Sequence, residues 1–411
     1  MRELLRCRRI RPGLNRIRAR PWTTQWGQAT AEQRVDGVTP REASHLVALK
    51  AWAQGNLTGA IAAWDAILVE HPTDLLALRL QHGQIFWLGQ SQNLRDCVAR
   101  VYDAWDEHLP GYAQVLGMYS FGLNECAEYE RAEGLGRRAV EMHPDDLWAV
   151  HAVAHILEMQ GRLAEGKAWL DYPDDAFDDR TPFRGHIWWH RAMYSLEAGD
   201  YDEVLALYDR VVQPDPSDFY LDVQNTASML ARLEYLGVDV GDRWQELADI
   251  AERQTGDHTL AFTEMHYMLA LAATGRDAAA EKLLTSLRDF AATPHNDAAA
   301  ATNTVVLPVC EAALARVRGE HGRAVSLLLP LRYDLARTGG SHAQRDVFAQ
   351  LLIEAAIGDG QLKLARALLS ERVNGRPNSR GTWLKYAGVL ADLGDAAGAE
   401  TARARAAAVT A

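Results

Sequence analysis

In the stretch VHAVAHILEMQGR, residues 150–162, two histidines and a glutamate share one helical stripe. His151, His155 and Glu158 stand at i, i+4 and i+7, within about 60° of one another around an ideal helix. HIWWH at 186–190 repeats the spacing with His186 and His190 and places Trp189 between them. Three readings of these residues stand side by side. In the first they form an internal network, because buried polar groups need partners, and imidazoles bonded to Glu158 or Asp222 would fix the register of neighbouring helices. In the second they line a groove for a peptide, a protein tail or a small ligand, with His and Trp supplying stacking and hydrogen bonds. In the third they do chemistry: His151, His155, His186 and His190 match a divalent metal such as zinc in ligand type and number. Without metal, His151 or His190 would be a general base oriented by Glu158.

The elements that position these residues come from a repeat. Helical patterns break near Gly55, Gly89, Ala127, Gly161, Gly199, Gly237, Gly275, Gly319, Asp359 and Gly394, mostly 34–38 residues apart. Two helices per period, with no alternating Val/Ile/Thr runs, mark tetratricopeptide-type units. Ala60, Ala132 and Ala139 allow close helix approach, Trp64 fills a gap between units, and Pro72 and Pro144 stop one unit before the next. Pro308 and Pro330 flank Gly319, where the spacing stretches to 44 residues, and predict a kink or local break. On this grid His151, His155 and Glu158 face the concave side of the array. His190, Ser228 and His266 continue as a polar ladder on first helices of later units.

GGSHAQRDVF at 339–348 reads as a helix start, with Ser341 as N-cap and Gln344 completing a capping box. His342 and Arg345 then aim inward as further ligand candidates. Trp52, Trp64, Trp87, Trp148 and Trp169 fit packing between helices, whereas Trp189 reads as a groove residue. GLGRRA at 134–139 fits a dinucleotide motif by letter only, since no strand precedes it. The segment 171–186 holds Asp171, Asp174, Asp175, Asp178 and Asp179 without EF-hand spacing and reads as a solvated, ordered loop over one face.

The bulk properties exclude several classes. The net charge is −12, of which the first 20 residues contribute +7, leaving −19 for the remainder. An acidic body argues against nucleic acid as partner. No uninterrupted apolar run approaches the roughly 20 residues that span a bilayer, which argues against a membrane role. Cys7, Cys97, Cys126 and Cys310 lack metal or redox spacing and fit free thiols in a reducing compartment. Residues 1–21 are set apart as an Arg-rich disordered leader or a start placed too far upstream, and 22–411 as one continuous repeat domain.

The segments HPTDLLAL (71–78), WAVHAVAHILEMQGR (148–162), HIWWH, LGVDVGDRW (236–244) and GGSHAQRDVF resemble, in this order, the tetratricopeptide repeat protein 38 family, over a span from about Trp26 to about Trp383. The resemblance implies an all-helical solenoid in the cytoplasm and little about activity. The combined expectation is an all-α, right-handed superhelical tetratricopeptide-like solenoid of about ten helix pairs, with a closed or strongly curved inner surface. Its role is binding or scaffolding a peptide, protein or small molecule on the concave face, around His151, His155, Glu158, His186, Trp189, His190, Asp222, His266, His342 and Arg345. No cofactor is required in that reading. The rival is a hydrolase or lyase that uses the same histidines, with a divalent metal such as zinc.

Overall fold

The computed structural model describes residues 38–177, 183–292 and 296–409. The leader, Cys7, Trp26, Asp178 and Asp179 lie outside the described residues. Twenty helices of five residues or more, taken with their continuous extensions, follow one another as ten antiparallel pairs among the described residues. The fold is therefore all-α and tetratricopeptide-like. The first pair is Pro40–Ala53 with Leu57–Glu70, and the last is Arg380–Asp392 with Ala396–Ala408. Ala60, Trp64, Ala132 and Ala139 are fully buried where helices cross.

Two kinds of turn alternate, each with its own chemistry. Between units, Asp74 and Asp146 cap the incoming helix by accepting from the Ala77 and Trp148 amides, directly after the Pro72 and Pro144 stops. Within units, the chain turns through one left-handed residue. At Gly161 (φ 66°) the Arg162 amide donates back to the Leu157 carbonyl at 2.9 Å, closing the helix end. The ninth expected break, assigned to Asp359, sits one residue on. Asp359 keeps a right-handed conformation and Gly360 takes φ 70°, because only glycine enters that region without a Cβ clash.

Ala127, at φ 61°, is the one non-glycine with positive φ among the described residues. A left-handed L-residue costs roughly 1–2 kcal/mol, partly offset by the larger unfolded-state entropy of glycine. Ala127 is exposed, so Ala127→Gly should stabilise the protein by about 0.5–1 kcal/mol in urea denaturation. A loss of stability would show that the methyl packs usefully. Gly89 is the opposite case: a Cβ there would lie 1.6 Å from the Ala336 carbonyl oxygen.

That contact belongs to a larger feature, the return of late units onto early ones. The Thr58 amide donates to Asp297 at 2.9 Å, Asn378 donates to the Gly161 carbonyl at 2.8 Å, and Arg232 donates to the Ala343 carbonyl at 2.7 Å. These partners are 239, 217 and 111 residues apart, against one period for neighbours in an open array. The inner surface is closed, with the His342–Gly358 helix packed against Tyr220–Tyr235.

The prolines act as expected. Thr302–Val306 widens to a π-turn just before Pro308, which has no amide to give and whose ring crowds the preceding turn. Pro330 ends the His321–Leu328 helix in a 3₁₀ turn. The continuous helix Asp297–Val317 is long and apolar enough to cross a membrane by length and composition, and 61% of that apolar window is buried inside the array. Around the acidic loop, Phe177 is buried and Arg210 pairs with Asp174 at 2.6 Å.

Candidate functional site

The Leu147–Met159 helix is buried on nearly its whole circumference and touches both large apolar clusters of the protein. His151, His155 and Glu158 therefore sit in the interior. Arg184–Ala198 crosses beside it and delivers His186 and His190 to the same spot. One ring nitrogen from each of the four histidines lies within 4.8 Å of the others. His186 Nε2 is 3.0 Å from His151 Nε2. Ring centroids of His155 and His190 are 4.3 Å apart, and those of His151 and His155 4.4 Å.

Outer contacts fix two of the rings. His190 Nδ1 donates to Glu158 Oε2 at 2.8 Å, and His186 Nδ1 donates to Asn225 Oδ1 at the same distance. Both rings then turn their Nε2 lone pairs inward. Phe121 stacks on His151 with centroids 5.3 Å apart, and Trp189 stacks on His186 at 5.4 Å and 8°. Burial, reinforced by the neighbouring imidazoles, holds His151, His155 and His186 well below the ordinary histidine range. They are neutral at physiological pH. His151 Nδ1, both nitrogens of His155 and His190 Nε2 are buried without a hydrogen-bond partner, an expensive arrangement for a purely structural network.

A cleft of about 920 Å³ reaches this cluster, with His151 and His186 in its lining. Its walls combine aromatic side chains, among them Phe86, Trp87, Trp148, Phe183 and Tyr220, with the polar Arg79, Asp145, Asp146 and Gln344. The Arg79 guanidinium lies over Trp148, 4.3 Å from the ring centroid. Gly83, in the middle of the Leu75–Trp87 helix, also faces the cleft, and a Cβ there would meet nothing within 4 Å.

Behind the cluster lies a charged layer. Arg376 approaches Glu158 at 3.9 Å and Glu197 at 4.0 Å. Burial alone would raise the Asp346 carboxyl, but Arg372, Arg376 and Arg232 together hold it well below the carboxylate range.

The remaining expected site residues separate from the tetrad. Asp222 takes the Ser217 hydroxyl at 2.6 Å and bonds none of the four histidines; Asn225, one turn later, has the role expected of it. His266 is bonded to the Phe262 carbonyl at 2.8 Å and wedged against Phe262 and Phe348. Ser228 bonds the Asn225 carbonyl, so the expected ladder breaks after His190. His342 and Arg345 both gather around Glu125, at 3.8 and 3.9 Å. Trp189, expected in the groove, is fully buried behind His186 and does not line the cleft, whereas Trp87 and Trp148, expected to pack between helices, do. Sequence reasoning also missed Arg79, Phe121, Phe183 and Asn225. Trp148 carried a signal, since it stands at i−3 from His151, and Gly83 carried another, since a mid-helix glycine costs about 1 kcal/mol and calls for a reason.

No family model matches the sequence. Among solved structures, the chain is similar to human IFIT1 in a dimer with PPP-AAAA, at 13% identity over 92% of each chain and a TM-score of 0.36. It is also similar to the TPR domain of P58(IPK), at 13% identity over 90% of this chain and 92% of that one, with a TM-score of 0.25. A third similarity, to Naa15/Naa10 bound to HypK-THB, has 12% identity over 89% of this chain and 64% of that one, at a TM-score of 0.26. At these scores no ligand or partner is carried over, and the tetratricopeptide-like assignment rests on the chain's own paired helices.

Proposed function

We propose that this chain is a cytoplasmic binding protein of the tetratricopeptide repeat protein 38 type. Its ligand is a small molecule with a flat apolar body and one polar group. The observation that carries this reading is the cleft whose lining joins aromatic side chains to His151 and His186. Its volume suits a ligand of drug size, its aromatic walls suit a flat body, and its polar side chains orient the ligand. A peptide laid along the concave face is the weaker reading, because the chain's own His342–Gly358 helix packs there, bonded through Arg232 and Glu125. The sequence resemblance to that family is what supports the cytoplasmic setting.

The test uses Gly83→Phe, which projects a ring toward the cleft from a position where an added Cβ meets nothing within 4 Å. A ligand-detected NMR screen with benzoate, benzamide, benzylamine and larger aromatic analogues of each should find binders to the wild type. Gly83→Phe should keep or slightly raise its melting temperature and weaken those binders at least tenfold, about 1.4 kcal/mol. Binders that survive the substitution unchanged, or a screen with none, would remove the cleft as the site.

A further inference from the structure

We infer that His151, His155, His186 and His190 form a binding site for one divalent transition-metal ion, set beside the cleft. The inference rests on the cleft reading for the metal's access to ligand, but not for its binding.

Three observations carry it. The first is number and proximity: four imidazoles from two crossing helices each place a nitrogen within 4.8 Å of the others. A zinc-sized ion with Zn–N bonds of about 2.1 Å wants its ligand atoms about 3.4 Å apart in a tetrahedron. The His151 and His186 nitrogens, 3.0 Å apart, are already at that scale, and the widest pair closes by small ring rotations. The second is the outer shell. Glu158 and Asn225 take the Nδ1–H groups of His190 and His186. That fixes the tautomer in which Nε2 offers a lone pair to the centre, the usual arrangement of metal-bound histidine. The facing His151 and His186 Nε2 atoms would repel as two lone pairs unless a proton or a cation lies between them, and a cation serves all four rings at once. The third is the set of buried ring nitrogens on His151, His155 and His190 that have no partner. Buried polar atoms of this kind demand a partner, and an ion held through His151 Nε2, His186 Nε2, His190 Nε2 and one nitrogen of His155 supplies it for His190 and for that nitrogen of His155.

An all-imidazole set suits zinc, iron, copper, nickel or cobalt, and excludes calcium and magnesium, which require oxygen ligands. His151 and His186 also border the cleft. A fifth position on the ion would therefore face the ligand, whose polar group would complete the coordination shell. Glu158 is a positioning residue that acts through His190.

The experiment strips the full-length protein with a chelator, confirms its fold by circular dichroism, and titrates it with cobalt(II) and then zinc(II). One equivalent of cobalt should give the intense visible absorption of a four- or five-coordinate nitrogen site, and zinc should displace it. His155→Gln and His190→Gln should each abolish the stoichiometric signal. Glu158→Gln should keep the band and weaken affinity about 10–100-fold. Gly83→Phe should bind cobalt as the wild type does, so the metal site can stand if the cleft ligand fails, and the reverse. A folded wild type that takes up no cobalt, or a His155→Gln/His190→Gln double variant that retains the full band, would overturn the inference. If both histidine variants unfold, Glu158→Gln decides: unchanged affinity counts against the site.

Discussion

Arg376→Ala should destabilise the protein by about 3–5 kcal/mol, the cost of removing one partner from a buried ion network. The guanidinium stands between Glu158 and Glu197 and beside Asp346, with 13% of its side chain exposed. Burial alone would lower its affinity for the proton, but Asp346, Glu197 and Glu158 raise it, so it stays charged. Alanine would leave three buried carboxylates with Arg372 and Arg232 as their nearest compensation. The same side chain reaches Met159 Sδ at 3.5 Å, 217 residues back along the chain, so its loss loosens closure as well as charge balance. Arg318→Ala is the control. Arg318 bonds Asp277 and Glu281 more closely than Arg376 bonds its partners, at 2.8 and 3.0 Å, but on the surface, where pairs are worth about 1 kcal/mol or less. Urea midpoints for the two variants should therefore separate widely. Equal shifts would mean that water reaches Arg376 and that closure does not bury it. Adding Glu197→Gln to Arg376→Ala should recover part of the loss, since the uncompensated charge is the larger part of the cost.

The contrast between local and distant contacts explains what the sequence could and could not disclose. Turn chemistry is local. A left-handed glycine and a proline–aspartate stop act within a few residues, so the pairs, the kink at Pro308 and the capping box at Ser341 are legible from residue types alone. Even Ala127 is placed correctly by the spacing, although its residue type gives no hint of positive φ. The tetrad follows from two i, i+4 pairs on adjacent first helices. Closure is different in kind. It depends on small rotations accumulated over several units, and no residue near Gly161 encodes the arrival of Asn378. Without the detail of closure, the polar ladder extends to His266 and the Ser341 helix start aims His342 inward, and their positions facing Phe348 and Glu125 cannot be foreseen. The tryptophan assignments failed for a smaller reason. One residue is about 100° on a helix, so an uncertainty of one position decides whether Trp189 or Trp148 faces the opening.

Glu264→Gln should stabilise the protein by about 3 kcal/mol at pH 8 and by almost nothing near pH 4. Glu264 has 1% of its side chain exposed, and burial pushes its carboxyl up to about 7 despite a hydrogen bond with His258 Nδ1. Its second oxygen, Oε2, has no partner. In the unfolded chain the group titrates near 4.5. Below that value both states carry the proton, and the side chain costs nothing relative to glutamine. Between about 4.5 and 7 the unfolded chain has released its proton while the folded chain retains it, so stability falls as pH rises through this window. Above 7 the penalty is complete, at 1.36 kcal/mol for each pKa unit between the two states. Glutamine keeps the shape and an acceptor for His258 but never ionises, so the wild-type penalty appears as the difference between the variants. Urea midpoints of the two proteins, measured from pH 4 to pH 8, should coincide at the acidic end and diverge toward the basic end. A difference that stays flat with pH, or that grows toward acid, would mean that Glu264 is ionised in the folded protein and that the His258 contact outweighs its burial.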